Sequence, residues 1–231
     1  MKILAMDSCF PRGGAALLDG GRVVGKLEFE GPEGHVALLP QAIERLMGDA
    51  GWRMVDLERL AVTLGPGSFS GARIALGMAK GMALALGLPV AGFSTLEVVA
   101  RAANCTGWVA ATLDARRGEV YAALYEIQEQ QPKLRSDLLV CDPETMMEHL
   151  CAWKTRYGVP LHLIGNALEV HGERWRALEK EGIRLLPTAF WSLDVAHLGA
   201  MADRLPVQEI GLLESLEPVY VRKADAKEPS H

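Results

Sequence analysis

Residues 3–17 read ILAMDSCFPRGGAAL, and residues 109–124 read VAATLDARRGEVYAAL. In both stretches an apolar run ends at an aspartate, Asp7 or Asp114, and an Arg-Gly pair then leads into Ala-Ala-Leu. The Ala-Ala-Leu triplet begins eight positions after the aspartate in each copy. Each stretch predicts a buried strand, a turn that begins at the aspartate, and a second strand. Two copies of one unit favour a duplicated α/β architecture.

The segments around these two stretches fit the same scheme. The first hairpin continues through Asp19-Gly20-Gly21 into a third strand at 22–29. Apolar periodicity predicts helices at 35–50, 72–86, 95–103, 170–181 and 195–204, and strands at 57–63, 89–93 and 161–164. We expect one domain at 1–103 and a second at 104–231, with a frayed tail from about residue 223.

Composition limits the classes of protein that fit. The chain has 231 residues, of which 49% are hydrophobic, and its net charge of -5 argues against a surface that holds nucleic acid unaided. The N-terminus enters a strand pattern directly, so we expect no secretory signal. The apolar stretch 74–93 is broken by Gly and Pro and predicts a buried helix and strand rather than a membrane span. We therefore expect a cytoplasmic protein with reduced thiols at Cys9, Cys105, Cys141 and Cys151.

Residues 65–71, Gly-Pro-Gly-Ser-Phe-Ser-Gly, form a glycine-rich loop that leads into a helix. A Walker A motif that began at Gly65 or at Gly67 would need its second glycine at Ser70 or at Ala72, and no lysine follows either position. A dinucleotide fingerprint would need its third glycine at Ser70. Both strict phosphate motifs therefore fail. Two interpretations remain: the backbone N–H groups bind an anion, or the loop is a tight turn with Ser68 or Ser70 as the N-cap of the helix.

The helix after this loop carries two stripes of small residues. Gly77, Gly81 and Ala85 share one face, and a second face is formed by Ala75, Ala79 and Ala83. Glycine inside a helix costs about 1 kcal/mol relative to alanine, so a close approach of a neighbouring backbone would offset that cost. The neighbour is either the protein's own sheet or a helix of another chain.

Common catalytic motifs are missing from the sequence. It has no His-Glu-x-x-His, no pair of histidines at helical metal-ligand spacing, and no Gly-x-Ser-x-Gly. Asp7 and Asp114 are the best candidate carboxylates, because paired turns of this kind hold Mg-nucleotide in two-lobed phosphotransferases. Neither turn is a glycine-rich phosphate hairpin. The loop at Gly165-Asn166, which could also lead into a helix, is a weak candidate for a phosphate-binding loop. The candidate vestigial phosphate-loop residues are Asp7, Ser8, Gly65, Gly67, Ser68 and Asp114.

Four segments together resemble the TsaB (YeaZ) family, bacterial proteins of the pathway that makes threonylcarbamoyl-adenosine in tRNA. They are MKILAMDS (1–8), LGPGSFSGARIALGMAKGMALALGLPVAGFSTLE (64–97), DARRGEVYAALY (114–125) and EPVYVR (217–222). The resemblance spans nearly the whole chain but is loose between residues 128 and 204. It implies the duplicated actin/Hsp70-like (ASKHA) fold, with two subdomains that each contain a mixed sheet flanked by helices.

The resemblance also implies a role without catalysis. TsaB is a paralogue of the catalytic subunit TsaD, and TsaD-like sequences carry His-Leu-Glu-x-His where this chain has Thr95, Leu96, Glu97, Val98 and Val99. Hydroxyl and isopropyl groups cannot replace two imidazole ligands. The resemblance therefore implies no catalytic residue, no metal and no required cofactor in this chain, with ATP and metal on partner subunits.

Family properties imply partners as well. TsaB pairs with TsaD through its N-terminal domain, the pair recruits the ATPase TsaE, and tRNA is bound by the assembly rather than by this chain; a homodimer in isolation also fits. The expected interface residues are His35, Leu39, Ile43, Ala72, Ile74, Gly77, Met78, Gly81 and Ala85. The alternatives are a small-molecule phosphotransferase that uses Mg-ATP with Asp7 and Asp114, and a peptidase, since relatives have been grouped with metallopeptidases.

Overall fold

A computed structural model describes residues 1–30 and 34–221. The first half contains one five-stranded sheet with the order β3-β2-β1-β4-β5. Strands β1 and β2 and strands β2 and β3 pair antiparallel, whereas β1 with β4 and β4 with β5 pair parallel. The elements are β1 (Lys2–Asp7), β2 (Gly13–Asp19), β3 (Arg22–Phe29), α1 (His35–Ala50), β4 (Arg59–Thr63), α2 (Phe69–Leu86), β5 (Val90–Phe93) and α3 (Thr95–Arg101).

The second half repeats this topology. Its sheet has the order β11-β10-β6-β7-β8, with β9 paired to β7, and its strand directions match those of the first sheet. The elements are β6 (Gly107–Asp114), β7 (Val120–Gln128), β8 (Gln131–Leu134), β9 (Leu139–Cys141), α4 (Pro143–Tyr157), β10 (Leu161–Ile164), α5 (Ala167–Trp175), β11 (Ile183–Leu185) and α6 (Val195–Arg204). The duplication predicted from the two aspartate turns is confirmed.

Five layers stack through the molecule. Alternate residues of β1 point to opposite faces, so Ile3 and Ala5 lie in a central cluster between the two sheets, and Leu4 and Met6 pack under α1 and α2. The central cluster is filled by residues of α3 and α6, and α4 and α5 cover the far side of the second sheet. Because both faces of each sheet are covered, the inner strands read as continuous apolar runs.

The two central helices each pack on the sheet of the other half. Helix α6 packs on β1, β2 and β4, and α3 packs on β6, β7 and β8. Gly199 of α6 lies so close to Leu18 that a Cβ there would overlap the leucine side chain. The buried Arg59 guanidinium donates hydrogen bonds to the carbonyl oxygens of Ala202 and Leu205 at the end of α6. The two halves therefore share one hydrophobic core, although their sheets divide near residue 103.

Several element boundaries differ from the prediction. Helix α2 begins at Phe69, three residues early, because Ser68 accepts a hydrogen bond from the Gly71 N–H at 3.1 Å and caps it. The helix expected at 170–181 is α5 followed by a 3-10 helix, Arg176–Glu181. Helix α4 and strands β8, β9 and β11 were not predicted. Arg222 and the expected frayed tail lie outside the described residues.

The apolar stretch 74–93 folds as most of α2 followed by β5. Among residues 1–30 and 34–221, no helix is both long enough and apolar enough to cross a membrane.

Candidate functional site

A cleft of about 600 Å³ lies between the two halves. It opens where β1, β4, β6 and β10 end, the edge at which ligands bind in many α/β proteins. The first half contributes Cys9, Phe10, Pro11, Gly65, Gly67, Ser68, Phe69 and Ala72; the second contributes Leu113, Asp114, Ala115, Arg116, Arg117, Tyr121 and Asn166; the end of the described chain contributes Val219, Tyr220 and Val221.

Asp7 is buried below the cleft rather than in its wall. Its carboxylate accepts hydrogen bonds from the hydroxyl of Thr63, from Cys9 N–H at 3.0 Å and from Phe10 N–H at 3.3 Å. Burial raises the pKa of Asp7, and these hydrogen bonds oppose the rise. The carboxylate is thus occupied by the loop that it organises, and it does not line the cleft.

Ser8 is also fully buried. Its hydroxyl lies 2.9 Å from Nδ1 of His35, and Nε2 of His35 lies 3.2 Å from the carbonyl oxygen of Pro11. A serine beside a histidine resembles a nucleophile and its base, but a fully buried hydroxyl offers no access to a substrate. The pair fixes the start of α1 to the β1–β2 loop, and no local pattern in the sequence predicts this contact.

The glycine loop packs tightly against that same β1–β2 loop. Ser68 N–H donates to the carbonyl oxygen of Cys9 at 2.8 Å, and a Cβ at Gly67 would overlap that carbonyl. A Cβ at Gly71 would overlap the carbonyl oxygen of Ser8. The interpretation as a tight turn with Ser68 as N-cap is confirmed, and the glycines are needed because two backbones meet at these positions.

The equivalent turn in the second half is more open. The Asp114 carboxylate accepts from Arg116 N–H at 2.9 Å, and Asp114 N–H donates to Oδ1 of Asn166 at 3.0 Å. Asp114, Arg116 and Arg117 all line the cleft. The loop at Gly165-Asn166, weak as a motif, therefore holds the second turn in place. Of the six candidate phosphate-loop residues, Gly65, Gly67, Ser68 and Asp114 reach the cleft, whereas Asp7 and Ser8 do not.

Residues 217–221, called the closing segment below, return from the second half to the first. Val219 N–H donates to the carbonyl oxygen of Leu64 at 2.7 Å, and the Tyr220 ring packs 5.1 Å from the Phe69 ring. Nε of Arg73 donates to the Tyr220 hydroxyl at 2.9 Å, and its guanidinium lies 3.9 Å from the centre of the Phe69 ring. The sequence marked this segment only as a family signature and did not place it at the cleft.

The residues that match the TsaD metal motif lie in α3, inside the core. Thr95 and Val99 are both fully buried. Burial raises the pKa of the retained Glu97 to about 7, against a hydrogen bond from the Ser94 backbone. Burial, with the charge of Asp7, raises the pKa of the Cys9 thiol to about 12. Within the described part of the chain, no three His, Cys, Asp or Glu residues group in a way that could hold a metal ion.

Helix α2 presents two distinct faces. Ala75, Ala79 and Ala83 are buried against the protein's own sheet. The opposite face, called the α2 stripe below, is exposed and consists of Phe69, Arg73, Gly77, Gly81 and Ala85. A Cβ at Gly77 or at Gly81 would meet nothing within 4 Å. The sheet therefore explains the alanine face and leaves the glycine face without a neighbour among the described residues.

The other expected interface residues are divided between surface and core. Leu39, Ile43 and Ala72 are at most 4% exposed: Leu39 and Ile43 pack in the core of the first half, and Ala72 lines the cleft. Ile74 and Met78 are half-buried beside them, and His35 is half-buried at the start of α1. An interface on this side would use the exposed residues of α1 and α2, with the buried ones supporting them.

Two α/β halves of equal topology around a cleft define the actin-like (ASKHA) class. Two solved structures share this fold: the ethanolamine utilization protein EutJ from Carboxydothermus hydrogenoformans (TM-score 0.56, 11% identity) and a ROK hexokinase from Thermus thermophilus (TM-score 0.54, 15% identity).

YeaZ from Pseudomonas aeruginosa superposes with a TM-score of 0.75 at 26% identity, over 95% of this chain and 99% of that one. The model of the family TsaD, tRNA N6-adenosine threonylcarbamoyltransferase, matches residues 31–172, and the chain belongs to this family.

Named relatives confirm the resemblance to TsaB (YeaZ). The tRNA threonylcarbamoyladenosine biosynthesis protein TsaB of Escherichia coli is 38% identical over 132 residues, which cover 56% of this chain and 57% of that protein. The Bacillus subtilis TsaB is 34% identical, with 54% and 56% covered, so each match spans just over half of the relative. The Haemophilus influenzae TsaB is 29% identical over 96% of this chain and 94% of its own length.

Proposed function

We propose that this chain is a non-catalytic subunit in the biosynthesis of threonylcarbamoyladenosine in tRNA, and that it binds and activates a TsaD-like enzyme. The names of its TsaB relatives and its membership of the TsaD family support the pathway. The match to the TsaD family model also supports the partner. Because this chain is related to the enzyme, the two would share a fold and could pair through equivalent surfaces, as the subunits of a two-fold dimer do.

The observation that carries the non-catalytic role is the burial of Thr95 and Val99 in the core. These residues occupy the positions of the two histidines of the TsaD metal motif, and neither side chain can ligate a metal as imidazole does. The Asp7 carboxylate already accepts hydrogen bonds from its own loop and from Thr63 of β4. We therefore propose that ATP and metal are bound by partner subunits and that this chain needs no cofactor.

The α2 stripe is the proposed docking face, together with the exposed residues of α1. Its glycines allow a partner helix to approach the backbone closely. Phe69 and Arg73 lie in the first two turns of α2, and aromatic residues and arginine are enriched among interface anchors. Leu84 beside the stripe is 78% exposed and Val36 on α1 is 66% exposed, so apolar area is available for burial.

Further partners follow from the same assignment. We propose that the pair formed with the TsaD-like enzyme recruits a TsaE-like ATPase, and that tRNA is held by the assembly, because the net charge of -5 does not favour binding by this chain alone. In the absence of the enzyme, the α2 stripe would support a homodimer, since a two-fold axis near Gly77 and Gly81 would bring two small surfaces together.

The test is co-elution of this chain with the TsaD-like protein of the same organism, measured by size-exclusion chromatography with light scattering. We expect a heterodimer with the wild-type chain and separate peaks with Gly77→Leu or Gly81→Leu. Each leucine projects into open space, so the fold is kept and the helix gains propensity.

Ala152→Leu is the matched control, because it adds a similar side chain at an exposed position on α4, far along the chain from the proposed face. Separate peaks for the wild-type proteins at micromolar concentration would contradict the docking role. The phosphotransferase alternative would then be tested by ATP turnover of the isolated chain and its loss in Asp7→Ala, and the peptidase alternative by peptide cleavage that is lost on chelation.

A further inference from the structure

A second pocket has a volume of about 440 Å³. It lies between β3, the C-terminal end of α3, the N-terminal end of α6 and the β7–β8 turn. Within the described residues it shares no lining residue with the cleft. It is not part of the proposed docking face, and the function proposed above gives it no role. The residues that matter for its chemistry are Lys26, Glu28, Arg101, Gln130, Asp194 and His197.

Arg101 is the central group of this pocket. It is only 8% exposed, and Nη2 donates to Oε1 of Gln130 at 2.6 Å. In the described part of the chain this is the one hydrogen bond of the Arg101 guanidinium, and no carboxylate pairs with it. A guanidinium has five N–H donors. Arg101 lines the pocket, and the donors that Gln130 does not use are available to a ligand there. Buried arginines are normally paired with an anion.

The charges around Arg101 also indicate that its guanidinium lacks a counter-charge. Burial lowers the pKa of Arg101, and the charge of Arg204 lowers it further. Burial lowers the pKa of His197 as well, the charges of Arg101 and Lys26 add to that effect, and Asp194 opposes it. Nδ1 of His197 is buried without a hydrogen-bond partner. The side of the pocket near Arg101 therefore carries positive charge, and Nδ1 of His197 has no hydrogen-bond partner in the described chain.

Two carboxylates also face the pocket, and both are engaged by a single lysine. Nζ of Lys26 lies 3.3 Å from Glu28 and 3.1 Å from Asp194. Oδ1 of Asp194 additionally accepts the Ala196 N–H at 2.9 Å as the N-cap of α6. Lys26 and Arg101 therefore balance Glu28 and Asp194 in number among the charged lining residues, and Arg101 is the cation of the pocket that no carboxylate of the described chain pairs with.

We propose that this pocket binds a small anion through Arg101, with a phosphate or carboxylate group beside His197. The planar guanidinium fork matches both groups in a bidentate manner. Binding would supply Arg101 with the counter-charge that the described chain does not provide.

The test uses inorganic phosphate and succinate as separate probes on the full-length chain, with the ring resonances of His197 followed by NMR. The His197→Gln spectrum assigns those resonances. We expect a saturable shift and a rise in the pKa of His197, because a bound anion beside the ring favours its charged form. A response to phosphate alone, to succinate alone or to both would define the class of ligand.

Gln130→Glu is the decisive variant. The change keeps the size of the side chain and places a carboxylate against Arg101, so we expect probe binding to weaken by about tenfold or more. Arg101→Gln should have the same effect, whereas Arg176→Gln, an exposed arginine in the second half, should bind as the wild type does. Thermal unfolding checks that each variant is folded. If neither probe shifts His197 in the wild type, or if Gln130→Glu binds as tightly as the wild type, the proposal is wrong.

Discussion

Asp7 and Asp114 end equivalent strands in the two halves, and their surroundings give them different roles. Asp7 is buried beneath its loop and accepts two hydrogen bonds from that loop and one from Thr63 at the end of β4. Asp114 lines the cleft beside Arg116 and Arg117. A pair of aspartates that grips Mg-nucleotide needs both carboxylates in the cleft, and only Asp114 reaches it. At the level of single residues, the first aspartate organises a loop, and the structure favours this role over a catalytic one.

Glu97 gives a prediction about pH. Its pKa in the folded protein is about 7, above its ordinary 4.5, so its contribution to stability is fully present below pH 4.5 and is lost as pH rises toward 7. Glu97→Gln stays neutral, and we expect it to raise the free energy of unfolding at pH 8 by on the order of 1–3 kcal/mol, because each pKa unit is worth about 1.4 kcal/mol.

Urea denaturation at pH 5 and at pH 8 measures this effect, and the gain should shrink at pH 5. Glu148→Gln on α4 is the control, since Glu148 is exposed and its replacement should change stability little at either pH. An equal change for Glu97→Gln at both pH values would show that burial of the carboxylate is not the cause.

At the scale of elements, α2 joins three features of the molecule. Its N-terminus forms one wall of the cleft, its alanine face packs on the first sheet, and its stripe of exposed small residues is the proposed docking face. The closing segment attaches to the first turn of the same helix through Tyr220. The proposed docking face and the attachment of the closing segment therefore share one helix.

The attachment of the closing segment can be tested at Tyr220. We expect Tyr220→Ala to remove the hydrogen bond from Arg73 and the ring contact with Phe69, together worth about 1 kcal/mol at this half-exposed site. The Val219 N–H, which donates to the carbonyl oxygen of Leu64, should then exchange with solvent about fivefold faster. Tyr220→Phe keeps the ring and should give a smaller increase. Unchanged exchange in Tyr220→Ala would mean that the backbone hydrogen bond holds the segment by itself.

At the scale of the whole molecule, the exchange of helices between the sheets makes the two halves interdependent. Without α6, the inner face of the first sheet would expose Ile3, Ala5, Ala16 and Leu18. We expect residues 1–103 expressed alone to lack cooperative unfolding, because this large apolar surface stays in water. Mixing the fragment with residues 104–231 should restore a sharp thermal transition by circular dichroism. A cooperative transition of 1–103 alone would contradict the shared core.

The sequence by itself determined the duplicated α/β plan and the small-residue faces of α2, and it limited the N-cap of α2 to Ser68 or Ser70. Each of these depends on local chemistry, such as strand periodicity, helix capping and residue size, that neighbouring positions reveal. It missed α4, a helix of 15 residues of which Pro143, Met146 and Leu150 are the buried ones, so its core-facing stripe is narrow. It also could not show which face of α2 the sheet would cover, because both faces carry small residues.

Only the tertiary structure decided what became of the predicted site residues. It buried Asp7 and Ser8 beneath the cleft, brought the closing segment to the glycine loop, and placed Arg101, Gln130 and His197 around one pocket. It also sent α6 across to the first sheet. The physical reason is common to all of these: each depends on contacts between residues distant in the chain, and local preferences do not encode which distant surfaces bury each other.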